Sequence, residues 1–289
     1  MYSFMRVFYQ ALYWRFPMNR TPPAAIVLAS LSLLVCYAAV LHGMADQWWN
    51  DEDMGHGFLV PLVILWIVWR ERNQWRKVPA APSPWGFAWI AAGAALQLVG
   101  TVGVGLFAGA IGFLCSALGV VICFGGFARA RAWLFPILLS LFMLPKLAIV
   151  YNQVTLPLQL LATRQAAAIL WAAGVSVIRE GNVIQVGAHR IAVVEACNGL
   201  RYLIPLGFAA VIFAYLADDR PWMRAALLLA AVPVAMSANA IRVAASAWVP
   251  ALSEGAFHTL AGWVLFAVSM AAIYLIHAAL TKVRGRRHA

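Results

Sequence analysis

The stretch VVEACNGLRYLIPLGF, residues 193–208, sets Cys197 where a polar, strand-like run gives way to an apolar helix. A thiol becomes a nucleophile when its thiolate is favoured, and a helix N-terminus beside a cationic side chain favours it. Arg201 follows Cys197 by one helical turn on the same face. Farther along, SANAIRVAASAW carries Asn239 and Arg242 one turn apart, EGAFHTLAGW carries His258 at the mouth of an apolar run, and DMGHGFLVP carries His56 at the mouth of another. This set permits acyl transfer. Cys197 attacks a carbonyl, His258 exchanges a proton with the thiol or the leaving amine, and Arg242 holds the developing oxyanion. Apolar surroundings oppose the thiolate, so the chemistry needs a partly hydrated site.

Each residue also has a plainer reading. A lone cysteine in an apolar chain is packing material, a histidine at a helix mouth is a cap or an anchor, and Arg201 near a helix end can snorkel. Arg242 resists that reading, because a charge below the membrane interface needs a partner or a water-filled cavity. Zinc is a weaker account of Cys197, His258, His56 and Glu195, because no close His-x-x-x-His or Cys-x-x-Cys pair organises them. No metal and no cofactor is expected, and no glycine loop of the phosphate-cradling kind occurs.

The elements that position these residues follow from composition. Of 289 residues 64% are hydrophobic and 11% charged, with a mean hydropathy of +0.82, far above the roughly 45–50% apolar content of a soluble domain. Apolar runs near 24–45, 56–69, 84–103, 106–127, 132–150, 198–217, 222–247 and 259–280 approach the ~20 residues that cross a bilayer. The expected fold is an all-α polytopic membrane protein of about eight transmembrane helices, with 1–289 as a single integral membrane domain. The first run is too long for a signal-peptide core and is expected to stay as a helix.

The net charge of +11 does not point to nucleic acid, because the basic residues are spread among loops rather than gathered in one stripe. They report orientation instead. Arg6, Arg15 and Arg20, Arg70 to Lys77, Arg129 and Arg131, Arg220 and Arg224, and the tail from Lys282 fall in alternate loops and at the two ends. The positive-inside rule makes those segments cytoplasmic and the acidic loop from Asp46 to Asp53 external. Cys197, Arg201, Asn239, Arg242, His56 and His258 then converge at one depth on the outer side, from four helices.

Residues 154–175 are long enough to cross, but Gln159, Arg164 and Gln165 would sit in mid-membrane, and a ninth crossing would invert every later loop. An outer-side amphipathic helix is expected there. The β-branched runs of VSVIREGNVIQVGAHRIAVVEAC, separated by Glu-Gly-Asn and Gly-Ala-His turns, read as a small antiparallel sheet. Together these form an outer cap over about 151–196. Cys36, Cys115 and Cys123 lie inside apolar runs and read as small buried residues.

MGHGFLVP, EACNGLRYL, ANAIRV and FHTLAGW, in that order, resemble the exosortase/archaeosortase family of polytopic membrane enzymes, over about residues 48–265. The resemblance carries the family's catalytic Cys, Arg and His onto Cys197, Arg242 and His258, and implies support roles for Glu195, Arg201 and Asn239. Asn198 stands where this motif more often has Ser. The implied activity is that of a cysteine protease or transpeptidase, acting on exported precursors that carry a C-terminal Pro-Glu-Pro-like motif, a transmembrane helix and an Arg-rich tail. A thioester on the cysteine would pass to an acceptor, amine or water. The implied setting is a Gram-negative inner membrane engaged in exopolysaccharide production.

Two other classes compete with this reading. A solute transporter needs a polar path to the cytoplasmic side, and few charged residues lie deeper than Arg242. A non-catalytic envelope polysaccharide assembly factor would not need the thiol of Cys197. His56 has no assigned task and reads equally as an anchor for the acidic loop or a second proton carrier.

Overall fold

The computed structural model describes residues 23–193, 199–253 and 255–285. The chain divides into two compact units, Met1–Pro145 and Lys146–Ala289.

In the first unit, α1 (Pro23–Cys36) and α2 (Ala38–Asn50) meet at Tyr37 with a bend of 65°. The apolar run 24–45 is therefore a broken element. Tyr37 is the buried pivot, and its hydroxyl hydrogen-bonds Ser116 Oγ at 2.9 Å. A 3₁₀ turn (Gly55–Phe58) leads into α3 (Leu59–Arg70), followed by the short α4 (Arg72–Arg76). Next come α5 (Trp85–Val99), extended by a π turn, and α6 (Leu106–Ala132). These two helices pack closely because small residues face each other: a methyl added at Gly93 would lie 2.4 Å from the carbonyl of Gly112. The expected span over 132–150 is instead α7 (Leu134–Leu139), a 3₁₀ turn (Ser140–Met143) and a non-helical stretch that includes Pro145. Proline at that point cannot supply the amide hydrogen that would continue the ladder.

The second unit begins with α8 (Ala148–Ala172), which includes Gln159 and Arg164 and starts earlier than the expected 154. Arg164 is exposed and Gln159 is buried, while Leu156, Leu160 and Ile169 are exposed and Thr155 and Thr163 are buried. Strands β1 (Val177–Glu180), β2 (Val183–Val186) and β3 (His189–Ala192) form the antiparallel sheet anticipated from the turn signals. The register pairs Glu180 with Val183 and Val186 with His189, leaving two-residue turns opened by Gly181 and Gly187 at positive φ.

α9 (Leu200–Ala217), α10 (Pro221–Trp248) and α11 (Gly255–Gly285) complete this unit. Pro221 opens α10 at its first helical position, where a missing amide hydrogen costs nothing. The centre of the unit is α10. One buried cluster, with Ala210, Met223, Leu227 and Ile273, locks it to α9 and α11. Another, with Leu170, Ile184, Val193, Val243 and Ala247, locks its C-terminal end to α8 and the sheet.

Among the described residues five helices are long and apolar enough to cross a membrane, and up to seven if each of two bent pairs counts as one span. The apolar stretch Gly55–Arg70 is shorter. Phe257, Leu260, Trp263, Val264 and Val268 of α11 stand exposed, as the lipid-facing stripe of a transmembrane helix does. The chain is a helical polytopic membrane protein with a small antiparallel sheet.

Candidate active site

Arg242 lies six residues before the end of α10, about 9 Å of helix rise from Trp248. It is buried, at 5% exposure. Placing a guanidinium there is expensive unless its donors are used. One Nη2 hydrogen goes to His258 Nε2 at the first turn of α11. The guanidinium carbon also lies 5.2 Å from the centre of the Tyr202 ring, on α9, within cation–π range. Arg242 thus gathers one aromatic and one imidazole from the two helices that flank α10. Among the described residues its Nε has no hydrogen-bond partner, and no carboxylate pairs with it.

The other side of the imidazole fixes its tautomer. His258 Nδ1 lies 2.8 Å from the backbone oxygen of Leu252. A carbonyl only accepts, so Nδ1 carries the hydrogen and Nε2 presents its lone pair. Arg242 is always protonated and must be the donor of the pair. The arrangement therefore holds a neutral imidazole with its basic nitrogen turned toward a permanent cation.

Leu252 sits in a 3₁₀ turn (Pro250–Leu252) between α10 and α11. Ser246 Oγ, one turn beyond Arg242, donates to the same Leu252 oxygen at 3.0 Å. The carbonyl is held from both sides, and with it the ring of His258.

Asn239, 2% exposed, precedes Arg242 by one turn of α10. It faces the start of α9: a Cβ built on Gly199 would lie 3.4 Å from Asn239 Nδ2. Gly199 caps α9 with φ 91° and ψ −15°, a left-handed conformation that side-chain-bearing residues resist. Asn239 and this left-handed cap together register the beginning of α9 against α10.

The structure therefore brings Arg242 and His258 into direct contact and sets Asn239 one turn away. Arg201 is the second residue of α9, half-buried, next to Tyr202. Cys197 and Glu195 lie outside the described residues. His56 belongs to the first unit, where its Nε2 donates to the Phe142 carbonyl at 3.1 Å and ties the turn at 55–58 to that at 140–143. Reading by residue type alone overlooked Tyr202, Ser246 and the Leu252 carbonyl. The 3-and-7 spacing of Asn239, Arg242 and Ser246 on one helical face was the available signal for Ser246.

No curated protein and no solved structure matches the chain. The model of the transmembrane exosortase family matches residues 48–275, which include Asn239, Arg242, Ser246 and His258. With that match covering most of its length, the chain belongs to the transmembrane exosortase family.

Proposed function

We propose that this chain is a membrane-embedded cysteine protease or transpeptidase that removes the C-terminal sorting signal of exported precursor proteins. The observation that carries the reading is the buried contact between Arg242 and His258, made by a guanidinium without a carboxylate partner among the described residues. A buried cation in this condition suits negative charge that develops during reaction.

Cys197 is the nucleophile in this scheme. It precedes Gly199 by two residues, a covalent tether of at most about 7 Å, and Gly199 abuts Asn239 on the helix that bears Arg242. The thiolate sulfur attacks the scissile carbonyl carbon, and the carbonyl electron pair moves onto oxygen beside Arg242. Collapse of that adduct breaks the C–N bond. His258 Nε2, released from its hydrogen bond to Arg242 as that guanidinium turns to the oxyanion, takes the thiol proton and returns it to the leaving amine. A thioester remains on Cys197, and an acceptor amine or water resolves it.

Ser246 and the Leu252 carbonyl keep the ring oriented through both transfers. Arg201, Asn239 and Glu195 serve as supports. The substrate class is an exported precursor whose Pro-Glu-Pro-like motif precedes a transmembrane helix and an Arg-rich tail. The setting is a bacterial inner membrane, with both termini cytoplasmic and the site on the periplasmic side.

The test is precursor processing in cells that carry Cys197→Ala. Uncleaved precursor accumulates at normal enzyme level if the scheme holds; a normal cleavage pattern removes Cys197 from the chemistry. The mass of the mature C-terminus separates the two outcomes of the thioester, since a free carboxylate means hydrolysis and an added group means transfer.

A further inference from the structure

A pocket of about 200 Å³ lies wholly within the first unit, lined by Val68, Arg72, Trp75, Arg76, Arg129 and Trp133. The end of α3, the short α4 and the last turn of α6 build it. Two helix C-termini meet here, and their negative dipole ends account for some of the basic residues. They use only part of the donors. Arg72 gives one Nη1 hydrogen to the Trp69 carbonyl at 2.7 Å and stacks 4.7 Å from the Trp69 ring, while Arg129 Nε donates to the Val78 carbonyl at 3.2 Å. A guanidinium carries five N–H groups. Among the described residues no carboxylate pairs with Arg72, Arg76 or Arg129.

Trp133 adds a second, independent sign. Its ring packs 5.4 Å from that of Trp75, and its Nε1 is buried with no hydrogen-bond partner among the described residues. A buried N–H left unsatisfied costs free energy, so native sites of this kind hold an acceptor. Three cations and a desolvated donor around one cavity ask for several oxygens and negative charge together. The volume is far more than one water needs.

The rim narrows the source of that charge. Trp66, Trp69, Phe127 and Leu134, close to the pocket in sequence, stand exposed. Arg72 stacks on the exposed Trp69, and arginines at helix ends beside exposed aromatic side chains form the interfacial pattern in which acyl chains lie on the apolar surface and headgroups on the cations. We infer that this pocket binds the phosphate of an anionic phospholipid, with Arg72, Arg76, Arg129 and the Trp133 N–H around its oxygens. A free phosphate offers the same oxygens but has no use for the apolar rim.

The experiment uses the full chain, purified in a neutral detergent and titrated with phosphatidylglycerol, phosphatidylcholine or inorganic phosphate, read by native mass spectrometry and thermal denaturation. Phosphatidylglycerol stays bound and raises Tm; the other two do not. The double variant Arg76→Gln, Arg129→Gln weakens phosphatidylglycerol retention at least about tenfold, and Trp133→Phe, which keeps a ring but loses the donor, weakens it about three- to tenfold. Arg76→Lys with Arg129→Lys restores part of the binding, which separates lost charge from lost folding. Equal retention of the two lipids, stabilisation by inorganic phosphate matching that by phosphatidylglycerol, or wild-type retention in Trp133→Phe and the Gln pair overturns the inference.

Discussion

Ser246 and His258 donate to one backbone oxygen, that of Leu252, at 3.0 and 2.8 Å. In the proposed scheme the shared acceptor makes the turn between α10 and α11 part of the machinery, because the carbonyl takes the place that a carboxylate or amide holds beside a catalytic histidine. Removing the hydroxyl leaves His258 as the side-chain donor to this oxygen among the described residues. Ser246→Ala should slow precursor processing about three- to tenfold with enzyme level unchanged, the scale of one neutral hydrogen bond. Ser246→Thr, which keeps the hydroxyl, should recover most of the rate. Quantitative immunoblotting of precursor and mature product over time measures both.

Arg242 supplies a charge and a planar face, and substitutions separate the two. Arg242→Gln removes the cation from beside His258 and, in the proposed scheme, from the developing oxyanion, and should cut processing by about 10²–10³, as loss of an oxyanion donor does elsewhere. Arg242→Lys keeps the charge but not the planar fork that spans His258 and Tyr202. It should fall between wild type and the Gln variant. Equal rates for the Gln and Lys variants would show that charge has no part in the step.

The far end of α10 carries a second ion cluster, about 30 Å of helix from Arg242. Asp218 receives the Arg220 guanidinium through both carboxylate oxygens, His277 Nε2 lies 3.4 Å away, and Arg224 Nε donates to the Asp218 carbonyl at 2.7 Å. The hydrogen bonds from Arg220 outweigh burial and hold the Asp218 carboxyl well below the usual carboxylate range. A depressed folded value stabilises the fold above the unfolded value of about 3.9 and loses that contribution only as pH falls through the folded value. Asp218→Asn should therefore lower Tm at pH 7. The part of the gap due to this carboxylate should stay flat above about pH 5 and close only under strongly acidic conditions. Thermal denaturation of the two proteins across pH checks the sign.

Polar residues inside apolar runs were the legible part of this protein. Asn239, Arg242 and His258 stand out against alanine, valine and leucine, and helical spacing alone put Asn239 and Arg242 on one face. The sheet was legible too, because its two turns are written in Glu-Gly-Asn and Gly-Ala-His. Hydropathy did not reveal the bend at Tyr37 or the interrupted run around Pro145, since it reports composition over a window and says little about helix direction. Tyr202 was hidden because an aromatic in an apolar helix reads as core. The Leu252 carbonyl was hidden because a backbone group has no residue type. His56 was grouped with the outer-face cluster on depth alone; the structure gives it a bond to Phe142 inside its own unit.

The central claim is that the thiol of Cys197 carries the acyl group while Arg242 and His258 serve it. Mass spectrometry of the Cys197 peptide, taken from enzyme isolated with its precursor at acidic quench, measures this directly. A substrate-derived acyl mass on Cys197, released by hydroxylamine and absent from Arg242→Gln, is the predicted result. Precursor cleaved at the normal rate with the Cys197 peptide never acylated would contradict it.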